Sequence, residues 1–152
     1  MRHKQLLAAA ILSVLANACG GPTLPTGLGW SVTAVHGGPG VVLTAGPLQD
    51  NHFLLTLGVA GPCGAGGNEP TFDGFVLTGT TVVANVKRTP IPSMGPNETC
   101  LVTGDSVMEI LVDRRALPEA AERIVLGGQA CPPDDTICSG LVAPLPRASA
   151  GA

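Results

Sequence analysis

Short runs of alternating apolar and polar residues, each closed by glycine or proline, constrain this chain more than any other feature. In residues 53–59, Phe53, Leu55, Leu57 and Val59 fall on one face of an extended strand. Residues 107–113 repeat the pattern, with Met108, Ile110 and Val112 on one face and Glu109, Leu111 and Asp113 on the other. Residues 30–35, 41–43, 75–78, 81–86 and 123–126 read as further strands, separated by turn chemistry. The 21 glycines and 14 prolines supply that punctuation and exclude a mostly helical protein. Nowhere does the 3.6-residue period of a crossover helix appear, so a parallel sheet is not expected. The expectation is an all-β chain: a single antiparallel β-sandwich of about seven short strands.

Gly79-Thr80 decides how two of those strands are joined. A two-residue loop with glycine first predicts a type II′ hairpin between residues 75–78 and 81–86. The alternative is one long strand with a bulge at Gly79. Residues 61–69 and 89–99 read as loops, and residues 116–121 have room for one helical turn at most.

Composition narrows the function classes. A hydrophobic fraction of 45% is too high for a disordered chain, and a formal charge of −3 argues against a nucleic-acid partner. Aromatic residues make up only 3%, too few to supply stacking platforms for sugars or single strands.

The first eighteen residues read as an address. Arg2, His3 and Lys4 precede an apolar run over residues 6–15, and Ala16-Asn17-Ala18 supplies a small-x-small cleavage site. The run is about half the roughly 20 residues that cross a bilayer. Cleavage after Ala18 leaves Cys19 first. Leu15-Ala16-Asn17-Ala18-Cys19 resembles the signal of bacterial lipoproteins, although Ala16 stands where that family usually has leucine. The resemblance implies a diacylglycerol on Cys19. The expected organisation is a signal peptide over 1–18, a flexible tether over 19–28, the sandwich over 29–139 and a disordered tail over 140–152. The mature chain keeps six basic and eleven acidic residues, a formal charge of −5.

Five cysteines are an odd number for an exported protein. Setting Cys19 aside leaves Cys63, Cys100, Cys131 and Cys138, an even set in an oxidising compartment. Following strand directions through the expected hairpin puts all four at one end of the sandwich. Cys63–Cys100 and Cys131–Cys138 are then the expected disulfides, with crossed pairings of Cys63 still open. A zinc site is the rival reading, but the spacing is wrong and no histidine follows His52.

Residues 75–126 also resemble exported bacterial immunoglobulin-like modules. The residues that carry the likeness are the Phe-x-Leu-x-Gly-Thr-x-Val-x-Ala-x-Val run from Phe75, the proline-rich loop ending at Cys100, and Leu117-Pro118 before the last strand. The Gly-Thr-Tyr that commonly follows such a Leu-Pro is replaced by Glu119-Ala120-Ala121-Glu122. The resemblance implies an immunoglobulin-like sandwich and no assigned activity.

Catalytic equipment is sparse. Gly104-Asp105-Ser106 is similar to the nucleophile block of GDS-type esterases, but no late histidine follows to take the serine proton, so it reads as a turn entering a strand. His36 and His52, sixteen residues apart, match no metal site and read as surface positions. Asp134-Asp135 offers far fewer oxygens than calcium requires. Asn97-Glu98-Thr99 is a sequon made incidental by the lipoprotein context. No catalytic residue, metal ligand, cofactor or small-molecule substrate is expected. The expected function is an exported, lipid-anchored structural or protein-binding module, on the periplasmic or outer side of a bacterial membrane, or secreted if Cys19 is not acylated. Its partners are the membrane, through Cys19, and a protein yet to be identified. The alternative is a protease inhibitor that presents the Cys131–Cys138 loop. Mass spectrometry of the mature N-terminus tests the anchor: a diacylglyceryl-modified Cys19 is expected, and an unmodified Cys19 rules the lipoprotein reading out.

Overall fold

The computed structural model describes residues 26–38, 40–62, 68–91, 104–131 and 134–147. These residues form an all-β fold of two sheets around one core. The strands are β1 (Thr26–Gly27), β2 (Trp30–Gly38), β3 (Val42–Ala45), β4 (His52–Val59), β5 (Asn68–Thr78), β6 (Thr81–Pro90), β7 (Asp105–Asp113), β8 (Arg123–Gly128) and β9 (Val142–Pro144). One sheet has the order β1-β2-β7-β4-β3, the other β5-β6-β8-β9.

The alternation read from the sequence is the alternation the core uses. Phe53, Leu55, Leu57 and Val59 of β4 are buried, and Met108, Ile110 and Val112 of β7 lie beside them. The second sheet contributes Phe72, Val82, Ala84, Val86, Ile124 and Leu126 to the same cluster. Each fully buried side chain of this size contributes about 1.5–3 kcal/mol relative to exposure. Leu54 and Leu111 point the other way, directly opposite each other on the outer face of the first sheet.

β5 and β6 form the expected hairpin, with Thr78 opposite Thr81. Gly79 has φ +61° and Thr80 has no positive φ, the signs a type II′ turn requires. β5 starts at Asn68, seven residues before the expected strand at Phe75, because Asp73 is accommodated as a bulge, with Gly74 at φ +105°. The Asp73 carboxylate then accepts Asn85 Nδ2 at 3.2 Å and pairs with Lys87 at 2.8 Å.

Three expectations change. The fold is not wholly antiparallel: β6 and β8 pair in parallel, from Thr81↔Arg123 to Val86↔Gly128. Parallel neighbours need a long crossover. Here β7, a strand in the opposite sheet, supplies it, which is why the sequence carries no crossover-helix period. The stretch from residue 140 onward is not wholly a tail. Val142–Pro144 pairs with β8, and Ala143 and Leu145 are buried, so three residues without visible periodicity close a sheet. The tether is also shorter than 19–28, since Thr26 and Gly27 pair with Ser31 and Trp30. The expected signal segment, residues 1–18, lies outside the described residues.

Gly79 and Gly37 make a matched test. An added Cβ meets nothing within 4 Å at either site, and only Gly79 has a positive φ. Gly79→Ala is expected to destabilise by about 1 kcal/mol and Gly37→Ala to stabilise by about 0.4–1 kcal/mol, read from urea unfolding. Equal effects at the two sites would contradict the left-handed turn.

Candidate functional site

Strand directions bring the exits of β2, β4, β6 and β8 and the entries of β5 and β7 to one end of the molecule. Val59 stands opposite Ser106, Gly38 opposite Asp105, and Asn68 opposite Pro90. Gly61 packs so tightly on the Gly104 carbonyl that no side chain fits between them. Sheet ladders stop here, so their last carbonyls need other partners.

Arg88, on the last turn of β6, supplies them. Its Nε donates to Gln129 O at 2.8 Å, Nη1 to Ala60 O at 2.9 Å and to Asn68 O at 3.4 Å, and Nη2 to Ala130 O at 3.1 Å. The Arg88 backbone N–H donates to Gln129 Oε1 at 2.8 Å. One guanidinium thus ties the segment after β4, the start of β5 and the segment after β8 to β6. Burial lowers the pKa of Arg88, yet a guanidinium stays charged at any physiological pH.

Cys131 and Cys138 are joined at this same end, with Cα atoms 5.6 Å apart. Cys138 is fully buried, so the bond fastens the loop to the core. Within the loop Thr136–Ser139 forms a single helical turn, α1. Asp135 caps it, its Oδ1 accepting the Cys138 N–H at 2.9 Å. The adjacent carboxylates read for calcium are therefore divided, and Asp135 serves the backbone. Ile137 is left 77% exposed on that turn. Cys19, Cys63 and Cys100 lie outside the described residues, and so does Asn97. Pro62 and Gly104, which flank the segments carrying Cys63 and Cys100, are both at the Arg88 end.

The opposite end is held by a second arginine. Arg114 lies in a 3-10 turn, Arg114–Ala116, that follows β7. Its Nε donates to Pro146 O at 3.2 Å, Nη1 to Leu117 O at 3.2 Å and Pro118 O at 3.0 Å, and Nη2 to Glu119 O at 3.3 Å and Ala121 O at 3.2 Å. Five N–H groups meet five carbonyls, so the loop from Leu117 to Ala121 is wrapped around a cation of its own chain. Beside it lies an open cavity of about 680 Å³ with an apolar floor that includes Leu48, Leu117 and Ala121. Two ion pairs stand at its rim: Arg115 with Asp113 at 2.8 Å and Arg147 with Glu122 at 3.6 Å. Hydrogen bonds from the Arg115 side chain and backbone pull the Asp113 carboxyl down to about 2. The sign is that of a depressed acid: this contribution is present above the ordinary carboxylate range and is lost as pH falls from about 4 towards 2.

The structure separates the histidines. His36 stands opposite Val107 and His52 opposite Asp113, at the two ends of β7. His36 approaches Glu109 at 3.6 Å, and its pKa is raised by its bond to Gly37 O and then by Glu109. His52 Nδ1 meets Asp50 O at 2.9 Å. Ser106 lies within β7, opposite both Gly37 and Val59, as a strand residue. Among the described residues no three His, Cys, Asp or Glu side chains are grouped to hold a metal ion.

No protein-family model matches the chain, and comparison with curated proteins and with solved structures finds no significant match. Arg88 and Arg114 were not legible as special residues. Their partners are carbonyls, which every residue carries, and those of Arg88 lie 20 to 42 positions away in sequence. Arg88→Ala is expected to destabilise by about 2–4 kcal/mol, because it leaves several carbonyls without a charged donor. Arg88→Lys recovers only part, since an ammonium cannot reach the same fork of acceptors. Denaturant midpoints check both; a neutral Arg88→Ala would remove the clamp from the account.

Proposed function

We propose that this chain is an exported, lipid-anchored immunoglobulin-like β-sandwich that works as a protein-binding module without catalytic activity. The observation that carries the reading is the turn at Cys131–Cys138. A buried disulfide, a helix cap and the nearby Arg88 clamp hold one end rigid and present Ile137 to solvent. Ordering entropy is thereby removed before any partner arrives, which favours binding. The chemistry-bearing side chains support the same reading. Arg88 and Arg114 hold backbone, and Asp113, Glu122 and Asp73 are paired with neighbouring cations.

The inhibitor alternative is less well supported by the loop's shape. Protease clefts take an extended backbone, as in strand addition. Here residues 136–139 form a helical turn, so the described part of the loop offers a knob and not a strand.

Site-specific photo-crosslinking in the native envelope tests the binding face. A photoreactive side chain at position 137 is expected to give a discrete higher-mass adduct, while one at position 79, on the opposite end, does not. Identical patterns at both positions would remove the Ile137 face from the proposal.

A further inference from the structure

Exposed large apolar side chains occur on both sheets, and Leu28 and Leu77 come together at the end of the fold where the chain enters β2 and leaves β5. Leu28 is 96% exposed on the short turn between β1 and β2, and Val76 and Leu77 are 52% and 51% exposed on β5. The indole of Trp30 draws these two places together. It lies against the backbone of Gly27 on one side and of Gly74 on the other, where an added Cβ would stand 3.3 Å from Nε1. At Gly27 an added Cβ would overlap the ring, and at Gly74 it would press on it. Trp30 then packs edge-on against Phe72 at 4.7 Å, and Phe72 against Phe75 at 5.2 Å. Leu28 follows Gly27, and Leu77 shares the inward face of β5 with Phe75, so the aromatic column ends in an apolar corner where β1 and β5 form the open edges of the two sheets. The other side differs, because β3 and β9 close against each other there.

The corner is also where the chain enters the fold. Six residues separate Cys19 from Thr26, the first residue of β1. An extended chain of that length reaches about 25 Å. We infer that the Leu28–Leu77 corner rests on the lipid bilayer, as a second membrane contact beside the anchor. The inference builds on the lipid-anchor reading of Cys19. So short a tether keeps the corner at high local concentration over the surface. Exposed leucines over a half-buried tryptophan suit an apolar contact with lipid, with the indole close enough beneath it to sense the bilayer. The mature formal charge of −5 disfavours anionic lipid, so the surface it fits is zwitterionic and the contact is apolar.

Trp30 is the only tryptophan in the chain, so its fluorescence reports this corner alone. The test uses the mature chain coupled through Cys19 to a maleimide lipid in phosphatidylcholine vesicles, with plain or brominated acyl chains. Brominated lipid is expected to quench Trp30, and Leu28→Ser with Leu77→Ser to reduce that quenching at least threefold. Val142→Ser is the control: that residue is 55% exposed on β9, at the far edge of the sheet that begins with β5, and its loss should leave quenching unchanged. Equal fluorescence in plain and brominated vesicles would overturn the inference, as would an effect of Val142→Ser equal to that of the corner variants. Cross-linked dimers lost on Leu28→Ser, without quenching, would assign the corner to a second copy instead. Because the coupling supplies the tether, an unacylated Cys19 in cells would sink the anchor reading while leaving this measurement intact.

Discussion

A β-sheet satisfies its backbone everywhere except at its ends, and this fold depends on how that deficit is met. Where the ladders stop, carbonyls from separate strands converge with no partner of their own. A guanidinium is suited to the position because it offers five N–H groups in a rigid plane and stays charged. Arg88 and Arg114 occupy the two ends in this way. With 12% charged residues, the chain has few cations to deploy, and its two most enclosed ones bind main chain. The disulfide and the Asp135 cap add to the Arg88 end, making it the better braced of the two.

That distribution bears on what the protein can do. Catalysis at neutral pH needs groups whose ionisation is poised and whose geometry is free to meet a substrate. The Asp113 shift arises in its pairing with Arg115, that of Arg88 in burial, and that of His36 first in its bond to the Gly37 carbonyl. The Asp113–Arg115 pair and the Arg88 contacts hold backbone segments in place. Rigid ends suit recognition by shape, and the two most exposed large apolar side chains among the described residues, Leu28 and Ile137, lie at opposite ends of the fold.

Much of the architecture was legible because the strongest strands obey one local rule. In β4 and β7 alternation alone picks the buried face, and Gly79-Thr80 specifies its turn by backbone freedom. What escaped was set by distant partners. β9 is three residues long, and only pairing with β8 makes Val142–Pro144 a strand. The first part of β5 reads as loop because Pro70 and a bulge at Asp73 break its period. The parallel β6–β8 pair was missed because its crossover lies in the other sheet. Of the candidate site, the Cys131–Cys138 bond was legible from cysteine count and spacing, while the arginine clamps depend on carbonyls, which leave no trace in sequence.

The passage from β6 through β7 to β8 has a further consequence. β7 is the central strand of one sheet, yet in chain order it lies between two neighbours of the other. β2 finds its main partner only when β7 arrives, some 75 residues later, and β8 remains an open edge until Val142–Pro144 is present. Neither sheet is complete without the other, and no N-terminal portion is a finished unit. Contacts of such long sequence separation slow folding, because loop closure precedes their reward. A chain built in this order stays threadable until almost its whole length is available, and then closes both layers together.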